Sequence, residues 1–506
     1  MTPMQPGAAP VKPGRVVIIG GGPAGLTAAV ELGRLDVPVT VLEKDRLVGG
    51  IARTESYKGY RFDIGGHRFF TKIGEVEQFW RDILGPEFLT RPRISRIFYD
   101  GKFFDYPLKA MNALTNLGLV ASVEVVLSYI QSQLFPYKQE DTFEEWVSNR
   151  FGKKLYRIFF KTYTEKVWGI PCSEIRAEWA AQRIKGLSLP VAVWNALFGP
   201  GKGKDVVKTL IEQFEYPRLG PGMMWEKAAE FVNTHGGEVR LNSDVVAVRH
   251  AGGRVRDVLV RAAAPKTGGN GAKPADTTAL AADAFITSMP IAELVRKLDP
   301  PAPPEVLAAA AGLTYRDHIS VVLIVNQPDL FPDNWVYIHS KEVKVGRVQN
   351  FKNWSPDMVP DPKLSALGLE YFCTEGDAMW RMSDADLLEL GKREMDLIGL
   401  VKANDVVDGT VMRQLKAYPV YNGTYAGYLE TIKNYLAGFE NLQTVGRNGM
   451  HKYNNQDHSM LTAMLAVRNL LGEKHDLWNV NTERSYHEEM RLPHDALSAD
   501  EAGVDS

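Results

Sequence analysis

The stretch RVVIIGGGPAGLTAAVELGRLDVPVTVLEK, residues 15–44, decides the fold of this chain. Val16 to Ile19 is a short unbroken apolar run, the pattern of a parallel strand buried on both faces. It leads into Gly20, Gly22 and Gly25 in G-x-G-x-x-G spacing. In that spacing Gly20 takes the tight turn, Gly22 lets backbone approach a pyrophosphate, and Gly25 lets the next helix pack close to the strand. Leu26, Val30 and Gly33 share one helical face, and Val39 to Leu42 reads as a second strand ending at Glu43 and Lys44. Glu43 lies 18 residues beyond the last glycine, where an acceptor for ribose hydroxyls belongs. Strand, turn, helix, strand and acid in this order predict an α/β dinucleotide-binding unit. The motif alone does not separate NAD from FAD.

The remaining composition narrows the class. At 506 residues the chain can bury a large core in two or three regions. A net charge of −2 and a pI near 6.6 supply no general attraction to nucleic acid or anionic lipid. Two cysteines, Cys172 and Cys373, are too few for a disulfide framework, lie in no metal-ligand spacing and predict a reducing, cytoplasmic setting. Residues 1–14 lack the apolar core of a secretory signal. Leu108 to Leu134 is the most hydrophobic long stretch, but Lys109, Asn112, Asn116, Ser122 and Glu124 interrupt it. It therefore reads as one or two buried helices, not a transmembrane segment. Ser95 to Leu108 predicts a hairpin turning at Asp100-Gly101, and residues 264–278 a mobile surface loop.

Past the nucleotide motif, Gly49-Gly50 and Phe62-Asp63-Ile64-Gly65-Gly66-His67 resemble the flavin-contacting segments of the FAD-dependent amine oxidase and protoporphyrinogen oxidase superfamily. Tyr163-Thr164-Glu165-Lys166-Val167-Trp168-Gly169, with Gln182-Arg183-Ile184, resembles a segment of bacterial UDP-galactopyranose mutases. Asn334 to Tyr337, Val345 to Val348, and Thr444 to Ser459 resemble the eukaryotic mutases. The resemblance runs with gaps from about residue 15 to 472. It implies an α/β architecture with a Rossmann-like FAD-binding domain in three pieces (15–107, 199–312 and 426–475). Between them would lie an inserted helical domain (108–198) and a mixed β-sheet substrate region (313–425). A disordered N-terminus (1–14) and a polar tail (476–506) complete the chain.

The resemblance also implies roles. Gly20, Gly22, Gly25, Glu43, Lys44, Gly49, Gly50, Gly66, His67, Gly446, Arg447 and Asp457 would hold non-covalent FAD. Arg183 and Arg347 stand where the mutases place their diphosphate-contacting arginines, and a guanidinium fork suits that dianion; an ordinary ion pair is the alternative for either. Trp168, Trp335, Tyr337, Tyr418, Tyr453 and Asn455 would line the substrate site, although each aromatic ring taken singly also suits core packing. His67 reads either as a group beside the flavin ring or as a hydrogen-bonded structural residue. Asn455 to Ser459 offers cap-forming side chains to a final helix that Gly472 ends, and in this superfamily that helix points its positive end at the flavin pyrimidine.

The activity implied is interconversion of the pyranose and furanose forms of a nucleotide-activated sugar through a reduced-flavin N5 adduct. It has no net redox change and needs NAD(P)H only as a priming reductant. A FAD-dependent oxidoreductase of the amine oxidase type, built around an apolar tunnel, is the alternative. No metal and no nucleic acid enter either reading, and a homo-oligomer is compatible with both. The chain departs from the mutases near the sugar end. Lys452-Tyr453-Asn454 lacks the second tyrosine of the bacterial K-Y-Y-D pattern, the acid is displaced to Asp457, and Arg68 stands beside His67. These departures leave galactose itself in question.

Overall fold

The computed structural model describes residues 12–106, 108, 110–177, 213–262 and 277–481. A five-stranded sheet runs in the order Leu442–Thr444, Ala284–Thr287, Val16–Ile19, Val39–Leu42, Glu238–Arg240. Every pairing in it is parallel. The apolar run of the first strand is explained by this position. Val16 and Ile18 face one core, against the helices Pro23–Arg34 and Gln456–Leu470; Val17 and Ile19 face a second, under Ile291–Arg296, Pro304–Gly312 and Tyr425–Leu436. A residue period of two between two covered faces demands apolar side chains at every position.

A seven-stranded sheet forms the second layer, ordered Val406–Pro419, Tyr315–Val325, Ser365–Cys373, Arg347–Asn350, Trp335–Ile338, Ser95–Tyr99, Lys102–Asp105. The hairpin at Asp100-Gly101 forms, but the division of the chain at 107 does not describe its place. Its first strand pairs in parallel with Trp335–Ile338, so this hairpin extends the large sheet and not the nucleotide-binding one. Sequence proximity favoured the earlier unit; hydrogen bonding to a strand 240 residues later decided otherwise.

Helices dominate residues 110–168. Thr142 and Glu145 close a reciprocal capping box on Phe143–Phe151, and Phe143, Trp146, Phe151, Leu155, Ile158 and Phe159 are buried together. A π-helical turn over Arg157–Lys161 precedes Thr162–Trp168, the helix of the YTEKVWG segment. Two expectations require correction here. Leu108 to Leu134 does form two helices, Ala110–Leu117 and Leu119–Leu134, but the second is not buried: Leu119 is 81% and Leu134 69% exposed. The polar tail does not begin at 476 either. Asp476 caps a short 3-10 turn, Leu477–Asn479, and Leu477 and Val480 are buried. Residues 1–11, the expected surface loop apart from 277 and 278, the tail from 482 and Arg183 lie outside the described residues. Cys172 and Cys373 are buried free thiols. Among the described residues no helix is long and apolar enough to cross a membrane.

Lys166 ties the helical region to the large sheet. Its ammonium donates to the carbonyls of Ser340 (2.8 Å), Val345 (3.0 Å) and Ile338 (3.2 Å), gripping both arms of the hairpin that carries Tyr337 and Arg347. Burial lowers its pKa to about 8. Lys166→Met keeps the apolar stem and strands three acceptors. It is expected to lower the unfolding free energy by about 1–3 kcal/mol, as read by urea titration. A change within experimental scatter would show that the three carbonyls find other donors.

Candidate functional site

The G-x-G-x-x-G turn is built with three different constraints. Gly20 has φ +100°, and a Cβ there would collide with Ser288 Oγ. A Cβ on Gly25 would collide with the carbonyl oxygen of Gly20. Gly22 differs: its backbone is extended, and the nearest atom to an added Cβ is Gly50 Cα at 3.7 Å. The described residues do not by themselves demand glycine at 22, unlike at 20 and 25. Glu43 closes the turn. Its Oε2 accepts from the Gly21 N–H (2.7 Å) and its Oε1 from the Asp45 N–H (2.8 Å), while burial raises its pKa. Lys44 beside it is exposed. Gly49 donates its N–H to the Gly21 carbonyl at 2.8 Å, holding the second glycine pair over the first.

At the opposite end of the cradle lies the start of Gln456–Leu470. Of the cap-forming side chains expected from Asn455 to Ser459, Asn455 at the N-cap makes no cap bond, whereas the Asp457 carboxylate accepts from first-turn N–H groups, its own and that of His458. Helix Pro23–Arg34 starts at Gly22 without a side-chain cap. The start of Pro23–Arg34 thus keeps unsatisfied N–H groups, carrying roughly half a positive charge for an anion to meet. Gln456 fastens this end, accepting from Trp225 Nε1 (3.2 Å) and donating to the His67 carbonyl (3.4 Å). Burial pushes the Asp457 carboxyl up to about 6, and its Oδ1 has no hydrogen-bond partner among the described residues. Gly446 donates to Thr462 Oγ1 and accepts from Asn454 Nδ2. These features fit a flavin dinucleotide.

His67 lies with Nδ1 3.1 Å from the Gly65 carbonyl. Burial, then the charges of Arg447 and Arg347, lower its pKa to about 3. The ring is therefore neutral, its Nδ1–H donates to Gly65, and Nε2 is left as an acceptor.

Two groups of side chains face this loop. In the first, Arg347 lies 3.7 Å from where a Gly65 Cβ would stand, but one edge of its guanidinium is engaged: Nε donates to Glu370 Oε1 (2.7 Å) and Nη2 to Oε2 (2.6 Å). Burial opposes both charges; their mutual attraction outweighs it, holding Arg347 protonated and Glu370 ionised. Gln349 also donates to Glu370. Tyr337 packs between Tyr106 (5.1 Å) and Tyr163 (5.3 Å), with Trp335 at 6.3 Å. Trp335 is 4% exposed, and its Nε1 is buried without a hydrogen-bond partner among the described residues. In the second group, Tyr418 and Tyr453 stack at 5.8 Å, and the Arg447 guanidinium lies over Tyr453 at 4.7 Å. Trp168, 3% exposed, packs against both tyrosines at 6.4 and 6.3 Å. Arg447 is itself anchored, donating to the carbonyls of Asn454 and Ala417.

Sequence reasoning passed over Glu370, Tyr163, Tyr106 and the segment after 476. Glu370 did leave a signal, as the one acid in the otherwise apolar strand SALGLEYFC. The terminal segment left none: Lys452 donates to the carbonyls of Trp478 and Val480, and Asn481 donates to Tyr453 O and Asn454 Oδ1. It straps down the residues that carry Tyr453. Among the described residues no cluster of metal-ligating side chains occurs.

A parallel sheet with a glycine-rich turn at a helix start, beside a larger second sheet, defines a dinucleotide-binding fold of the two-layer kind. The chain belongs to the flavin containing amine oxidoreductase family, whose pattern matches residues 23–452. It is similar to the crystal structure of reduced UDP-galactopyranose mutase, with a TM-score of 0.78 at 21% identity over 94% of this chain and 97% of that one. A putrescine oxidase variant superposes with a TM-score of 0.58 at 16% identity, over 90% and 99% of the two chains. The 1-hydroxycarotenoid 3,4-desaturase of Flavobacterium sp. (strain P99-3) is 26% identical over 267 residues, 48% of this chain and 53% of that protein. The chain spans from a tenth to about half the length of the curated relatives it matches.

Gly22→Val is expected to yield folded protein without flavin, measured by circular dichroism and the visible absorbance of the purified protein. Wild-type flavin content would overturn the cradle assignment. For His67, the native ring stays neutral down to about pH 3, whereas an unfolded imidazole takes up a proton near pH 6.5. Stability attributable to the neutral ring is thus present above pH 6.5 and lost as pH falls. Relative to His67→Asn, the wild type should lose about 2 kcal/mol of unfolding free energy between pH 7 and pH 5. A pH-independent difference would mean that His67 titrates normally in the fold.

Proposed function

We propose that this chain is a flavin-dependent enzyme that interconverts the pyranose and furanose forms of a nucleotide-activated sugar. The observation that carries this reading is the wall facing the Gly65-Gly66-His67 loop. It is made of phenols and guanidiniums, Tyr163, Tyr337, Tyr418, Tyr453, Arg347 and Arg447, and not of the aliphatic side chains that an apolar substrate needs. Bound FAD in its reduced form would supply a nucleophilic electron pair to the anomeric carbon. The chain's own residues bind and orient. Arg447 and the part of the Arg347 fork not held by Glu370 attract a diphosphate; the stacked tyrosines give flat faces with polar tips; neutral His67 accepts one hydrogen bond at Nε2. The uncapped start of Pro23–Arg34 favours negative charge on the cofactor. Arg183 would add a second clamp from the helical region, as its place in the motif suggests. The nucleotide, the sugar and the need for a reduced cofactor all belong to this proposal.

A flavin oxidoreductase is the second reading, favoured by the family description and by the desaturase relative. The two separate in one experiment. The holoprotein, reduced anaerobically with dithionite or left oxidised, is mixed with a panel of nucleoside diphosphate sugars, and products are resolved by chromatography. Turnover by the reduced form alone, with no acceptor consumed, is expected. Turnover that consumes an electron acceptor in proportion to product would replace the mutase reading with the oxidoreductase one.

A further inference from the structure

In the strand Tyr315–Val325, His318 and Ser320 are polar positions two apart, while Ile319 and every residue from Val321 on are apolar. A spacing of two puts both on one face of the seven-stranded sheet. The other face sends Ile319, Val321, Leu323 and Val325 into an apolar core. Strand pairing sets Ser320 opposite Glu370 and Glu370 opposite Arg347, with His318 two residues along from Ser320. This polar row faces the Gly65 loop: a Cβ on Gly65 would lie 3.7 Å from Arg347 Nη2 and 3.9 Å from both Glu370 carboxylate oxygens.

His318 is 2% exposed. Its Nε2 makes no hydrogen bond among the described residues, and Glu370 Oε2 stands 3.5 Å from it. At the other side of the ring, Nδ1 lies 3.3 Å from Ser320 Oγ. A hydroxyl that donates to Nδ1 leaves the ring proton on Nε2, directed at the carboxylate. The carboxylate has room for it. Glu370 Oε1 already receives Arg347 Nε and Gln349 Nε2, whereas Oε2 receives Arg347 Nη2 alone. Burial opposes the charge on Glu370; Arg347 first and His318 next keep the carboxyl below its ordinary range. A purely space-filling role would suit an apolar side chain, such as Phe372 beside it.

We propose that His318 is a positioning residue for the anion site, holding the Glu370 carboxylate that in turn aims the Arg347 guanidinium at the diphosphate of the substrate. This rests on the diphosphate role given to Arg347 above. His318 draws Oε2 toward its own strand, so the carboxylate is anchored from a side that Arg347 does not reach. Glu370 then fixes one edge of the guanidinium and leaves the other edge presented to an anion. Without His318, the carboxylate is held by Arg347 and Gln349 alone and follows the guanidinium instead of fixing it.

Calorimetry on the flavin-loaded, dithionite-reduced protein provides the test, using the tightest binder among UDP, GDP, ADP and dTDP. His318→Leu removes the donor and is expected to weaken that nucleotide about tenfold, the worth of one hydrogen bond, with flavin content unchanged. His318→Asn, too short to reach Glu370, is expected to match it. His318→Gln, which carries an N–H donor at a reach close to that of Nε2, is expected to restore most of the affinity. Because His318 acts through Glu370, adding His318→Leu to Glu370→Gln is expected to change the affinity by less than about twofold. Wild-type affinity in His318→Leu, a His318→Gln as weak as His318→Leu, or fully additive losses in the double variant would overturn the positioning role and leave the nucleotide-sugar reading standing. Loss of flavin from His318→Leu would mark the residue as packing and overturn it too. A wild type that binds none of the four nucleotides would overturn both.

Discussion

The structure depends on how closely the helix Pro23–Arg34 approaches the strand Val16–Ile19. Gly25 sits against the Gly20 carbonyl with no room for a side chain, and that contact sets the height of the helix above the parallel sheet. The final helix packs on this one within the same core, through Met460, Ala463 and Val467. Its position in turn places Gln456 beneath His67. A backbone contact near the start of the chain thus fixes the distance between the two helix starts and the Gly65-Gly66-His67 loop.

The other side of the site is held by charge. Removing Arg347 and Glu370 from water is costly, and a bidentate pair offsets that cost only when its geometry is well formed. Such a pair is weak evidence for stability and better evidence for orientation: the Glu370 carboxylate leaves the Arg347 guanidinium one way to lie. Lys166 does the same for the backbone, joining both arms of the hairpin that carries Arg347 and Tyr337 to the helix of the YTEKVWG segment. The terminal strap does so for Tyr453. Each polar element of the wall is positioned by a second polar group behind it, the arrangement that keeps a binding surface rigid.

This division explains why the motif residues differ in kind. Gly20 and Gly25 serve the fold, whereas the fold alone does not require Gly22, although all three belong to one pattern. In YTEKVWG, Lys166 is structural, Tyr163 reaches the wall, and Trp168 is buried beneath it. Aromatic residues that could be core or site turn out to be both, since Trp168 packs behind Tyr418 and Tyr453 and so sets where their rings stand.

Local sequence determined the βαβ unit, the turn chemistry of its glycines, the acid at Glu43 and the family resemblance, because each rests on residues close together in the chain. The run of apolar residues at 16–19 and the spacing of Gly20, Gly22 and Gly25 act within a few residues of one another, so their pattern is legible without a fold. Tertiary structure decided the rest. The hairpin at 95–105 joined the distant sheet because Trp335–Ile338 offered it a partner edge. The apolar helix Leu119–Leu134 turned most of its apolar side chains outward, because Val125 and polar contacts from Ser128 and Gln133 docked its inner side. Arg347 acquired a buried carboxylate partner from an adjacent strand. Long-range hydrogen bonds and ion pairs join residues whose separation leaves no periodicity to read, and they settle which of two plausible roles a side chain takes.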